Sequence, residues 1–438
     1  MNRNRCALAC ALAFASCGAL AQQSSPTTAV LADTLIQLYG HLDLSIDDAT
    51  KGIKDPAATG RLGWQPDISS NLSYFGVRGG RDIAPGLRAV FQFETQVDVS
   101  ATPGTGSNPA SSDASVKGAL ASRNSYLGLA GGWGAFKVGK TDAPYKLSTA
   151  RMDPFSATVG DYNSIMGNTG GDNRAEFDTR LSHAMWYESP NLSGFRVNAL
   201  FAPGQNRASD NSAVAGGEPN CTGGNGVFAA GPAGTCTDGA FGNAYSGDVS
   251  YEAGPLYAIA AYERHVDVNR LGDEATGGGP APAGAVGVHN ETAMKVGVQY
   301  KLPTRTTLNA IVERMRREGA VDAFNERQRN GFWLAATQQV GEKDDINLGW
   351  AHAGNTPGDP GTGPIDNKAN MYAIGYKHHW DRRTNWYAVY ARQVNHTGAH
   401  FDLGASGHGI TTDGHDAAGT IFTGTTLQAV SVGMQYNF

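Results

Sequence analysis

The chain has 438 residues, of which 17% are charged and 58 are glycine, and its formal net charge is −6. This acidic balance argues against nucleic acid as a partner. Beyond residue 21 no apolar run approaches the roughly 20 residues of a spanning helix, and mean hydropathy is −0.33, which excludes a bundle of membrane helices.

At the amino terminus, Arg3 and Arg5 precede an apolar stretch, Ala7 to Leu20, that closes with Ala19-Leu20-Ala21. The pattern predicts a secretory signal peptide over 1–21, cut before Gln22, leaving 22–438 as the mature chain. Phe14-Ala15-Ser16-Cys17 is only a faint lipoprotein box, because phenylalanine fits its first position badly. Loss of Arg3 and Arg5 moves the charge from −6 to −8. Cys6, Cys10 and Cys17 leave with the signal, so Cys221 and Cys236 remain. An even pair in an oxidising compartment points to one disulfide stapling a surface loop, with two unpaired thiols as the alternative.

The first expected strand is Thr34 to Ile46, followed by Asn71 to Gly80 and Gly86 to Asp98 about the hinge Arg81 to Pro85. On the third strand Leu87, Ala89, Phe91, Phe93 and Val97 share one face, and Arg88, Gln92, Glu94, Gln96 and Asp98 the other. A face of such long polar groups wants water and cannot be a packed core. Pairs of alternating segments around short turns follow: 123–131 with 134–141, 180–189 with 194–201, 245–253 with 255–265, and 291–300 with 305–316. Two more, 328–338 with 345–354 and 368–379 with 384–396, precede a last strand from about Thr423. In that strand Val430, Val432, Met434, Tyr436 and Phe438 alternate with Ser431, Gly433, Gln435 and Asn437.

Short turns alternating with long loops, an even count near sixteen and aromatics recurring at strand ends predict an all-β fold, a transmembrane antiparallel barrel. At that strand number the interior stays open to water.

Five stretches carry a resemblance. Tyr74-Phe75-Gly76-Val77-Arg78-Gly79, with Asp82 to Gly86 and Leu87 to Glu94, resembles the opening hairpin of the Gram-negative general porins, betaproteobacterial branch. Arg123 to Leu129, Tyr187 to Phe195, Tyr300 to Leu308 and Tyr376 to Tyr387 are similar to later strands and turns of the same family. The resemblance implies a homotrimer of sixteen-stranded barrels in the outer membrane of a Gram-negative bacterium, set among lipid and lipopolysaccharide. It implies passive diffusion of small hydrophilic solutes and ions, with no cofactor and no catalysis. The terminal strand ending at Phe438 would be the signal read by the barrel-assembly machinery, and the second loop, about 100–122, a latch to the neighbour.

It further implies a third loop, about 142–179, folded inward to constrict the pore. On it stand Asp153, Asp161, Asp172, Glu176 and Asp178; the wall would oppose them with Arg78, Arg88, Arg123 and Arg180, giving a transverse field. Ordinary solvated loop charges are the alternative for each carboxylate. Tyr74 replaces a wall arginine usual in the family, which weakens the positive side. His183 and Trp186 replace an asparagine and a lysine; a lipid-facing tryptophan is the favoured account, a more selective pore the other.

Two further readings have weaker support. Long loops would also suit a receptor or adhesin, whereas no serine, histidine and carboxylate spacing suggests a hydrolase. His396, His400, His408 and His415 interleave with Asp402, Asp413 and Asp416, but match no closed zinc site and read as solvated loop histidines.

Overall fold

The computed structural model describes residues 27–31, 34–50, 64–100, 121–167, 177–203, 243–268, 289–317, 327–355, 366, 368–399, 401–403 and 424–438. The predicted signal peptide, Asp172, Glu176, Cys221, Cys236, His400, His408, His415, Asp413 and Asp416 lie outside these residues. So does most of the second loop.

The strands in chain order are Thr27–Leu31 (β1), Thr34–Thr50 (β2), Trp64–Ser70 (β3), Tyr74–Ala84 (β4), Leu87–Gln96 (β5) and Ser125–Gly131 (β6). Gly134–Asp142 (β7), Arg180–Glu188 (β8), Phe195–Ala202 (β9), Asn243–Ala253 (β10), Leu256–Val268 (β11) and His289–Lys301 (β12) follow. The last are Thr306–Arg317 (β13), Arg327–Val340 (β14), Asp344–Ala353 (β15), Ala369–His379 (β16), Thr384–Asn395 (β17) and Thr426–Asn437 (β18). Consecutive strands pair antiparallel, except that β3 and β4 both pair with β2, and β18 pairs with β2 to close the ring.

Eighteen segments make sixteen barrel strands. β3 and β4 both lie on β2, through Ile46↔Ile68 and Tyr39↔Gly76, and form one strand broken at Asn71-Leu72-Ser73. Leu72 takes a φ of 48° there. Asn71 and Ser73 refill the interrupted ladder: Asn71 N donates to Asp43 O at 2.9 Å, and Asp43 N donates to Ser73 Oγ at 2.9 Å. The sequence expectation began this strand at Asn71; the structure extends it to Trp64, through Pro66 and Asp67, residue types that are rare inside strands. β1 in turn pairs with the start of β2, through Thr27↔Leu38 to Leu31↔Thr34, and continues the edge that β18 leaves.

The alternation expected of a barrel wall is present. On β18 Val430, Val432, Met434 and Tyr436 are exposed, while Ser431, Gly433 and Gln435 are buried. Ile46, Phe93, Leu127, Val296, Val312, Leu348 and Ile374 extend the same outward apolar band around the ring.

The apolar core is inside the barrel. The connection between β7 and β8 carries a short helix, Pro144–Ala150 (α1), and then Met152, Phe155, Val159, Tyr162, Ile165 and Met166, all buried against the wall from β11 to β17. Small wall residues make room for it. A methyl on Gly349 would lie 2.9 Å from the Phe155 ring and 2.2 Å from Trp333; one on Gly375 would lie 2.9 Å from Phe155. Burying a ring of this size stabilises by about 2 kcal/mol, so the glycines hold the loop as much as the phenylalanine does.

Candidate functional site

Polar clamps fix the inward loop at both ends. Near its start, Tyr145 N donates to Ser246 Oγ at 2.9 Å and Tyr145 OH to Glu313 Oε2 at 2.7 Å. Along its middle, Trp333 Nε1 donates to Met152 O at 3.2 Å and Arg329 to Ile165 O at 2.8 Å. At its end, Lys295 Nζ meets Asp178 at 2.5 Å with both side chains buried. Phe177 stacks on His265, whose ring nitrogens lie 2.6 Å from Glu291 and 2.9 Å from Glu263.

The described loop carboxylates expected to face the water column, Asp153, Asp161 and Asp178, are otherwise engaged. Asp153 accepts from Phe155 N at 2.9 Å and Tyr162 N at 3.3 Å, and is buried. Asp161 accepts from Ala157 N at 2.8 Å and Asn163 N at 2.9 Å, and only 2% of it is exposed. Burial, with the Asp161 carboxylate beside it, pushes the Asp153 carboxyl well above the ordinary range. These groups cap turns of the loop. Among the described residues of the loop the more exposed charges are cations: Lys146, 3.1 Å from Asp142, and Arg151, 3.1 Å from Glu252.

Across from the loop lies a belt of cations. Arg123 Nε donates to Glu94 Oε1 at 2.7 Å, and its guanidinium carbon sits 4.7 Å from the Tyr74 ring centroid. Arg78 donates to Gln37 Oε1 at 3.1 Å and lies 4.8 Å over Tyr39, whose hydroxyl donates to Glu94 Oε2 at 2.9 Å. At the neck of the loop Arg180 donates to Asn124 Oδ1 at 2.7 Å and faces Asp142 at 3.0 Å. Arg78, Arg123, Arg180 and Lys146 thus surround two carboxylates, Glu94 and Asp142, so within this group the cations are in excess.

Arg88 does not join this belt. It donates to Asp82 Oδ1 and Gly80 O, both at 2.8 Å, beside the β4–β5 turn. It is six residues from Glu94 along β5, about 20 Å at strand rise. The polar face it shares with Glu94 runs the height of the wall, so a shared face gives no shared depth.

Trp186 also departs from expectation. It is buried, not lipid-facing, and donates to Glu188 Oε1 at 2.8 Å with its ring edge-on to Tyr126 at 5.5 Å. The β7–β8 register slips between Gly139 and Thr141, with His183 at a φ of 52°. A one-residue slip changes the face of every side chain beyond it. His183 itself is exposed. Glu94, Tyr39, Lys146, Arg151 and Lys295 were not singled out as site residues from sequence. Alternation puts Glu94 on the polar face of β5, the only signal that pointed to any of them.

Phe438 sits at the seam, where Gly40 N donates to Phe438 O at 3.0 Å and Phe438 N to Gly40 O at 3.1 Å. Among the described residues no group of three or more His, Cys, Asp or Glu is placed to hold a metal ion. His396 pairs with Asp366 at 2.9 Å.

The profile of the family described as Gram-negative porin matches residues 7–398. The outer membrane porin protein 32 of Delftia acidovorans is 23% identical over 411 residues, 94% of this chain and 96% of the relative. An outer membrane porin protein of Bordetella pertussis is also 23% identical, over 82% of this chain and 89% of the relative. Among solved structures, an anion-selective porin from Comamonas acidovorans superposes with a TM-score of 0.62 at 19% identity, covering 92% of this chain and all of that one.

Proposed function

The chain belongs to the Gram-negative porin family, whose outer-membrane barrels are water-filled channels for passive diffusion of small hydrophilic solutes, and on that premise we propose that its belt of cations is the constriction and favours anions. The observation that carries this reading is the division of labour between charges. The loop carboxylates Asp153, Asp161 and Asp178 satisfy backbone amides or Lys295, whereas Arg78, Arg123 and Arg180 with Lys146 outnumber Glu94 and Asp142. An excess positive potential in a narrow water column raises local anion concentration. Asp172 and Glu176, two more carboxylates of this loop, lie outside the described residues and are not counted in this balance.

The anion-selective porin among the structural neighbours points the same way, and another neighbour is a trimer form of OmpT from Vibrio cholerae. The same reading takes the chain as a homotrimer set in lipid and lipopolysaccharide, exported by residues 1–21 and assembled through its last strand, with Cys221 and Cys236 as a loop disulfide.

The test is the reversal potential of the refolded trimer in a planar bilayer under a potassium chloride gradient. A chloride-selective sign supports the belt; a potassium-selective sign overturns it.

A further inference from the structure

Among the described residues five cations in the barrel lie over tyrosine rings: Arg78 on Tyr39 at 4.8 Å, Arg123 on Tyr74 at 4.7 Å, Lys137 on Tyr126 at 4.6 Å, Arg151 on Tyr257 at 4.3 Å and Lys295 on Tyr145 at 4.0 Å. Four of them have a carboxylate of their own, namely Glu94 for Arg123, Glu188 for Lys137, Glu252 for Arg151 and Asp178 for Lys295. Arg78 has none among the described residues. Its only hydrogen-bond partner there is the neutral Gln37, which uses one of the five donors of the guanidinium.

The ring beneath Arg78 is held in place. Tyr39 is tied by its hydroxyl to Glu94 and lies across Gly76, where an added methyl would come within 2.6 Å of the ring. Tyr74 stands edge-on to it, 6.3 Å away with planes at 69°. A half-buried guanidinium with unspent donors therefore sits on a fixed aromatic surface at the belt.

We infer that Arg78 with Tyr39 and Tyr74 is a docking site for planar carboxylates, so that the channel takes up aromatic or conjugated acids in preference to saturated acids of similar size. The inference rests on the anion-preferring reading of the belt. A carboxylate pairs with the guanidinium fork through two parallel hydrogen bonds, and this holds it in the guanidinium plane. The rest of a conjugated acid lies in that plane too and meets the tyrosines with its face or edge. A saturated ring is thicker and has no π-electrons to offer.

The experiment compares sodium benzoate with sodium cyclohexanecarboxylate as blockers of chloride current through single trimers, alongside the potassium chloride reversal potential. Benzoate is expected to interrupt the current at about tenfold lower concentration. Arg78→Lys keeps the charge but removes the plane, so it should keep the anion preference and lose the benzoate advantage. Equal block by the two acids, or an advantage that survives in Arg78→Lys, overturns the inference while chloride selectivity stands. A potassium-selective reversal potential overturns this inference and the belt reading together.

Discussion

Arg123 rests on the face of Tyr74, its guanidinium carbon 4.7 Å from the ring centroid, while its Nε donates to Glu94. Tyr74, where the family resemblance implies a further wall arginine, therefore positions a cation. Replacing Arg123 by Gln should lower the chloride-to-potassium permeability ratio about tenfold, because a unit charge about 6 Å from an ion in water contributes about 0.7 kcal/mol, with opposite sign for the two ions. The reversal potential reads this directly, and an unchanged ratio would remove Arg123 from the constriction.

Lys295 and Asp178 form a buried pair that ties the end of the loop to β12. Lys295→Met leaves Asp178 buried near Glu313 and Glu263 without its cation, which should cost about 3–5 kcal/mol. A lower unfolding temperature is expected, with noisier open-channel current. The double variant Lys295→Met/Asp178→Leu should recover most of the loss, and a double-mutant cycle with no coupling would show that the pair does not anchor the loop.

Asp153 gives the loop a dependence on pH. Its native carboxyl is held well above the ordinary value, so above about pH 4 the native state keeps a proton that the unfolded chain releases. The contribution to stability is full below that pH and declines as pH rises toward the native value. Asp153→Asn carries its own donor toward Asp161 in place of that proton. The melting temperature of the variant relative to the unsubstituted protein should therefore rise between pH 4 and pH 8; a constant difference would argue that Asp153 is ionised in the native loop.

Gly40 faces the Phe438 ring so closely that an added methyl would lie 2.3 Å from it. Gly40→Val should displace the ring, break the paired hydrogen bonds of the seam and reduce heat-resistant barrel on unheated gels severalfold. Phe438→Ala should do the same if the ring, and not the chain end alone, holds the seam. Normal assembly of both variants would assign the seam to backbone pairing only.

Strands were legible where the alternation was unbroken. The expectation 134–141 became Gly134–Asp142, and 245–253 became Asn243–Ala253. They were illegible where turn chemistry sits inside a strand, as at Pro66 and Asp67, or where a bulge shifts the register, as before Trp186. The loop was the hardest part. Phe155 packs on Trp333, Gly349 and Gly375, all far along the chain, and no local pattern announces which glycines are small for the sake of a distant ring. The arginines were nameable from resemblance, but Arg88 was not separable from Arg78 and Arg123, since a strand pattern reports face and not depth.

The residues that shape the described part of the inward loop differ from those to which the proposed constriction assigns its charge. Asp153, Asp161 and Phe155 are bound up in turns and packing, whereas Arg78 stands on β4, whose pairing would hold with another side chain there, and Arg123 stands just before β6. Ion preference can therefore drift from one lineage to another through single substitutions on the wall, without the loop having to be folded anew.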